Sequence, residues 1–238
     1  MQQPHGYNQS QTTTGASYDA GLRAHFGRVY NMMAFGLVVT GMVAWFTSQT
    51  PALFEQIHGT WLGLVVALSP LAIIFFGLTP NRLMRMNFGS AMSLYILMTG
   101  LIGLSMSYIF VAFTGESVAR VFFITAAMFG AMSIWGYTTK ANLAGMQSFL
   151  IMGVIGLLIA IVVNMFLGSS VMQMIISAAG VGIFTLLIAV DTQMVKQTYN
   201  PANGDDVNQK MALFSALGLY INVINLFQFL LQFLGNRE

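Results

Sequence analysis

Cysteine is absent from this 238-residue chain, so disulfides, thiolate metal sites and cysteine nucleophiles are all excluded. Charge is nearly absent too: Asp, Glu, Lys and Arg make up 7% of the residues and hydrophobic residues 56%, against about 25% charged in a typical soluble domain. So little polar surface cannot cover a core in water, and the composition is that of an integral membrane protein. The formal net charge of +2 is too weak a bias to point to nucleic acid. Histidine occurs three times, as His5, His25 and His58, all before or outside the expected spans. No intramembrane Ser–His dyad or histidine metal cluster can then be assembled from the later helices. Long apolar runs contain a single acid, Asp191, whereas aspartyl intramembrane proteolysis needs two carboxylates at depth. The last span has no lysine, which excludes a retinal Schiff base there. Neither catalysis nor a cofactor is expected.

The few charged residues punctuate the chain. Uncharged intervals run over Val29–Phe54, Gln56–Asn81, Met86–Gly115, Val121–Thr139, Ala141–Val190 and Met211–Asn236. A helical span needs roughly 20 mainly apolar residues, so five intervals hold one span each and the longest holds two, broken at Leu167–Ser170. Seven helices are predicted, near Tyr30–Thr47, Trp61–Leu78, Phe88–Phe113, Arg120–Gly136, Ser148–Phe166, Val171–Val195 and Met211–Leu234. Pro70 is expected to kink the second. Gly153, Gly156, Gly180 and Gly182 are expected to let the fifth and sixth approach closely. Residues 1–22, rich in Gln, Ser, Thr and Gly at their start, read as a disordered cytoplasmic tail, and residues 23–238 as the transmembrane domain. The tail lacks signal-peptide character. Gly204, Asp205 and Asp206 do not fit the twelve-residue EF-hand spacing and read as a turn.

Alternation of the loops collects Arg23, Arg28, Arg82, Arg85, Lys140, Lys196 and Lys210 on one side and Arg120 and Arg237 on the other. By the positive-inside rule the N-terminus is cytoplasmic and the C-terminus outside.

Asp191 lies in VGIFTLLIAVDTQMVK, five residues before Lys196. An ionised carboxylate in hydrocarbon costs roughly 2.5 kcal/mol or more, so it must face protein, water or an ion. A negative charge near a helix C-terminus also meets the unfavourable end of the dipole. The plainer alternative is an acid snorkelling to headgroups. On the seventh helix Ser215, Gly218, Asn222, Asn225, Phe229 and Gln232 recur at steps of three and four, on one face about 100° wide. A polar and small stripe on an apolar span points into the bundle. Its amides either hydrogen-bond neighbouring helices or line a pathway with Asp191. Arg82 and Arg85, expected on the same side of the membrane as Asp191, are candidates for a salt bridge or gate.

Three blocks together resemble the Bax inhibitor family, its bacterial branch most closely: GYTTKANLAGMQSFLIMGVIG (136–156), IFTLLIAVDTQ (183–193) and ALGLYINVINLFQFLLQFLG (216–235). The similarity runs from about Arg23 to the end. It implies an all-α seven-helix bundle with the last helix central, in the inner membrane of a bacterium. It also implies a passive, pH-sensitive calcium leak in which two aspartates share a proton and an arginine of helix two locks them. Asp191 matches the first aspartate. The second departs: the family pattern LYLDFINLF reads LYINVINLF here, placing Asn222 where the acid would be. Two close carboxylates titrate as a coupled pair and an amide does not titrate, so the shared-proton sensor is incomplete. Asn142 likewise stands where the family's loop often has an aspartate.

The expected function is therefore a cation leak. Calcium is the transient ligand of Asp191, Asn222 supplies a neutral oxygen, Asn225 lines the same pathway, and Arg85 before Arg82 forms the lock. The expected surroundings are lipid, calcium and protons. The alternative is a non-conducting scaffold that regulates a membrane protease or stress-response partner, with the N-terminal tail as its handle. A secondary transporter is less well supported, because no inverted repeat is visible.

Overall fold

The computed structural model describes residues 8–236, with side chains from Tyr18 onward. Residues 1–7, which include His5, and Arg237 lie outside the described residues, so the expectations for them are not addressed. The described chain is all helical: α1 Asn8–Ser48, α2 Pro51–His58, α3 Leu62–Ala72, α4 Pro80–Arg85, α5 Phe88–Met106, α6 Ile109–Ala112, α7 Gly115–Thr138, α8 Ala144–Leu167, α9 Ser170–Thr198 and α10 Asp205–Leu234. Six of these stretches are long and apolar enough to cross a membrane, with α5 and α6 counted as one. The pair α2 and α3, bent by 75°, makes a seventh if it is one span. The chain is thus a multi-pass membrane bundle.

Local chemistry explains the breaks. A sharp bend falls between α2 and α3. Gly63 permits it, because a β-carbon there would overlap the Ile57 carbonyl. Pro70 lies inside α3, and the helix runs on into one π turn at Ile73–Gly77. The carbonyl that the proline leaves without its N–H partner, that of Val66, accepts the Ser69 hydroxyl at 2.9 Å. A neighbouring hydroxyl commonly restores a backbone bond in this way. The predicted break at Leu167–Ser170 is a left-handed cap at Gly168 (φ 61°), followed by Ser169, whose hydroxyl accepts from Met172 N.

Four helices start four or more residues earlier than the hydropathy suggests, α1, α7, α8 and α10, and two of them are informative. α1 begins at Asn8, so residues 8–22 of the expected tail are helical; no proline interrupts the chain between Pro4 and Pro51. α10 begins at Asp205. Its first-turn acids suit the helix N-terminus and are ion-paired, Asp205 with Arg28 (2.7 Å) and Asp206 with the buried Lys210 (2.6 Å).

Cross-links between helix ends define two faces. On one, His25 bonds Thr198, Arg28 pairs with Asp205, and Gln193 bonds Leu143. This face joins the start of the first apolar stretch, the ends of α7 and α9, and the starts of α8 and α10. Leu83 of α4 lies beside Leu213 and Leu217, on the same side. On the other face His58 bonds Ser107, Gln173 bonds Gln232, and Asn236 N donates to Ser117. The first face carries Arg23, Arg28, Arg82, Arg85, Lys140, Lys196 and Lys210; among the described residues the second carries Arg120.

Burial is uneven. In α10, 56% of the most apolar stretch is buried, against 17% in α8 and 28–39% in the other four. α10 packs on α9, α1, α7, α5 and α4. The large apolar side chains left outside, such as Phe149, Met152 and Phe166 on α8, are what a lipid-facing surface requires.

Candidate ion site between the last two helices

α9 and α10 run antiparallel and meet along a seam with a period of seven. Thr198, Asp191 and Phe184 step back along α9 as Ser215, Asn222 and Phe229 step forward along α10. Thr198 and Ser215 hydroxyls are 3.1 Å apart, Asn222 Nδ2 donates to Asp191 Oδ2 at 2.8 Å, and the Phe184 and Phe229 rings stack at 5.7 Å. A seven-residue repeat keeps two helices in contact over many turns, because it matches the drift of one helix around the other. Beyond the phenylalanines, Gln173 donates to Gln232 at 2.5 Å and accepts from Asn164 at 3.2 Å.

The polar stripe on the last helix is therefore largely its face toward α9. Ser215, Asn222, Phe229 and Gln232 each meet an α9 side chain, and Gly218 meets Asp191. Asn225 is the exception: its amide donates to Ile221 O of its own helix at 2.8 Å, so it is not brought to Asp191. Small residues act at two points. Gly180 lets the Phe229 ring lie against the α9 backbone. A methyl on Gly218 would sit 3.1 Å from Asp191 Oδ2, so the glycine leaves the carboxylate its place. Of the four glycines expected to bring helices five and six together, Gly153 does so, against Ile183. Gly180 serves α10 instead, and Gly156 and Gly182 face open space.

Asp191 is partly buried and Asn222 is 6% exposed. An ionised carboxylate only accepts hydrogen bonds, so the amide must turn its N–H toward it, and the amide oxygen faces away from the acid. Asn222 thus presents a donor to Asp191, not the neutral oxygen expected beside a bound cation. Calcium takes six to eight oxygens. Asp191 and Asn222 supply three between them, and no group of three or more His, Cys, Asp or Glu able to hold a metal occurs among the described residues. A resident calcium is not built into this seam, whereas a passing cation could exchange water for one or two of these oxygens.

The neighbours of Asp191 in sequence fix its setting, and their role was not read from the sequence. Thr192 Oγ1 lies 3.3 Å from Ser133 of α7, and Gly136 of α7 packs directly on Ala189. Gln193 accepts from Leu143 N and donates to Ala141 O, both at 2.8 Å, clamping the loop after α7. Asn142, just before the start of α8, accepts from Ala144 N at 3.0 Å. Consecutive residues of α9 therefore address α10, α7 and the α7–α8 loop, which accounts for the compact signal in IFTLLIAVDTQ.

His25 belongs to the same seam. It lies inside the unbroken helix α1, which from Tyr18 to Ser48 is long and apolar enough to cross a membrane, and it is 2% exposed. Its Nε2 is 2.9 Å from Thr198 Oγ1, and its Nδ1 has no partner among the described protein atoms. With Ser215 it closes the basic-face end of the seam, about two helical turns from Asp191. The signal that could have found it is the absence of any break between Tyr18 and Ser48. His58 links the end of α2 to Ser107 at 2.8 Å.

Arg82 and Arg85 are both exposed on the basic face; Arg82 donates to Phe76 O at 2.7 Å. Neither is within ion-pair distance of Asp191, the ion pairs among the described residues being Arg28–Asp205 and Lys210–Asp206.

Known proteins place this architecture. The chain is 46% identical to a Caulobacter vibrioides protein over 93% of its own length and 92% of that protein. It is 42% identical to a Rickettsia prowazekii protein over 98% of both chains. Inner membrane protein YbhL of Escherichia coli is 36% identical, over 92% of this chain and 94% of that one. The family profile described as inhibitor of apoptosis-promoting Bax1 matches residues 22–238. With that match running over nearly the whole bundle, the seam and its acid included, the chain belongs to the Bax inhibitor-1 family.

Proposed function

We propose that this protein is a passive, pH-sensitive leak for calcium or a similar cation. Asp191 is its intramembrane acid, and α10 is the central helix around which the pathway forms. The observation that carries the reading is the 2.8 Å bond from Asn222 Nδ2 to Asp191 on the seam between the last two helices. The resemblance to the family puts two aspartates with one shared proton at these positions. Here the amide N–H occupies the place of that proton and cannot leave. The pair is then held in a half-protonated form, and Asp191 is its one titratable member. Arg85, with Arg82 second, is the cation that would approach Asp191 from the basic face, after a rearrangement of α4. That face is cytoplasmic by the positive-inside rule, and the membrane is a bacterial inner membrane, by analogy with YbhL.

The test is calcium influx into dye-loaded proteoliposomes between about pH 5 and 8, a range that brackets titration of a carboxyl in a protein interior. The unchanged protein is compared with Asp191→Asn and Asn222→Asp. Flux that depends on Asp191, with one titration step that becomes two in Asn222→Asp, supports the leak. Flux no greater than that of protein-free liposomes for all three proteins overturns it and leaves the scaffold reading, in which Asp191 is a packing contact between helices.

A further inference from the structure

α1 and α7 stand side by side but hardly pack. They touch through two ring pairs, Phe26 with Tyr137 (5.0 Å) and Tyr30 with Phe129 (6.0 Å), and through the Tyr30 hydroxyl with Ser133. Away from those rings the groove between them is open over α10. Toward the second face it is a cavity of about 460 Å³, walled by residues such as Met33, Leu37, Gly41, Phe122, Ala126 and Phe129. Toward the basic face it continues into a hollow of about 540 Å³ bordered by Arg23, Tyr30, Ser133 and Tyr137. Phe129 borders both, so the two adjoin at its ring.

Three features identify the occupant. First, the deep part is almost wholly apolar and opens sideways from membrane-spanning helices, where the surrounding medium is hydrocarbon and not water. Second, Gly27 and Gly130 in the hollow and Gly41 and Gly115 in the cavity have nothing within 4 Å of the place a β-carbon would take. Small residues in membrane helices ordinarily admit a neighbouring helix, and here no helix fills the space they leave. Third, the basic-face mouth, although most of its lining is apolar, carries one cation, Arg23. Arg23 is exposed and has no ion pair among the described residues, whereas Lys196, over the Tyr137 ring, is already bonded to the Tyr137 carbonyl. Arg28, one turn on, is already engaged by Asp205.

From Arg23 to Met33 the helix rises about 15 Å, roughly one leaflet's share of a 30 Å hydrocarbon core. A chain anchored at Arg23 therefore reaches the deep cavity with its distal half. We propose that the α1–α7 groove is a binding site for one anionic phospholipid, its phosphate held at Arg23 and one acyl chain laid over Phe129 into the cavity above α10. This site is separate from the Asp191 seam and does not depend on the leak reading.

The full-length protein is reconstituted into vesicles of equal phosphatidylglycerol and phosphatidylcholine, extracted in mild detergent, and examined by native mass spectrometry for retained lipid. The unchanged protein retains one phosphatidylglycerol in preference to phosphatidylcholine. Arg23→Gln lowers that retention about fivefold, as expected for removal of one cation facing an anionic headgroup. Ala126→Phe, which fills the cavity, abolishes retention, and Gly100→Phe, at an open glycine outside the groove, leaves it unchanged. Arg23 has no hydrogen-bond or ion-pair partner among the described residues, so Arg23→Gln keeps the test valid if the cavity-filling variant does not fold. No retained lipid, equal retention of both lipids, or full retention in Arg23→Gln would each overturn the assignment.

Discussion

Gly218→Ala separates the stability of the seam from its function. The added methyl lies 3.1 Å from Asp191 Oδ2, short of the 3.4 Å at which ordinary contact begins, so the carboxylate must retreat by about 0.3 Å. That shift lengthens the 2.8 Å bond to Asn222 toward 3.1 Å, still within hydrogen-bond range but weaker. A hydrogen bond to a charged group contributes about 1.5–3 kcal/mol, of which a fraction is lost. Against that, replacing glycine by alanine inside a helix gains up to about 1 kcal/mol. The two terms oppose each other, and the net change in stability stays within about 1 kcal/mol, a few degrees in Tm. Flux has no such compensation, since the displaced acid is the group on which the leak is proposed to depend. Gly218→Ala is expected to change calcium flux severalfold in proteoliposomes while thermal unfolding in detergent barely moves. Gly218→Val, with a branched side chain against the same oxygen, enlarges both effects. Wild-type flux across the pH range from both variants would refute the dependence on Asp191's position.

Gly136→Leu forces a side chain into the Ala189 backbone and separates α7 from α9, an overpacking expected to cost about 1–3 kcal/mol or more in detergent unfolding. Thr40→Val removes the bonds to the Tyr220 hydroxyl (2.6 Å) and to Thr99 O (2.9 Å). The fully buried Tyr220 oxygen then loses its partner, at about 1–3 kcal/mol, and a double-mutant cycle with Tyr220→Phe recovers most of the loss. Asn222→Asp turns the one-step pH profile of flux into two steps, because two carboxyls at this separation titrate as a coupled pair. A single unchanged step would place the second position outside the pathway.

How much of this was legible in the sequence differs from residue to residue. Asp191 and the stripe on the last helix could be found because hydrocarbon leaves polar groups few places to go, and a lone acid or a periodic amide stands out against apolar surroundings. Asn225 shows the limit of that reading. It shares the periodicity of Asn222, yet its amide returns to the backbone one turn earlier, a choice that periodicity does not encode. Pro70 marked a missing donor, but not that Ser69 supplies one to the same carbonyl, nor that a 75° bend lies about ten residues earlier. Hydropathy finds where a helix enters hydrocarbon, not where the helix begins, so the burial of His25 against Thr198 was not legible.

The sequence by itself determined the membrane class, the positions of most spans, the break at Gly168 and the solitary intramembrane acid. Each is fixed by composition or by local backbone chemistry, which act over a few residues. The tertiary structure alone decided which faces meet: Asp191 with Asn222, Gly136 on Ala189, Gln193 on the α7–α8 loop, and the gap left between α1 and α7. Those outcomes depend on antiparallel register and on side-chain volumes summed over several helices, and no single stretch of chain contains that information.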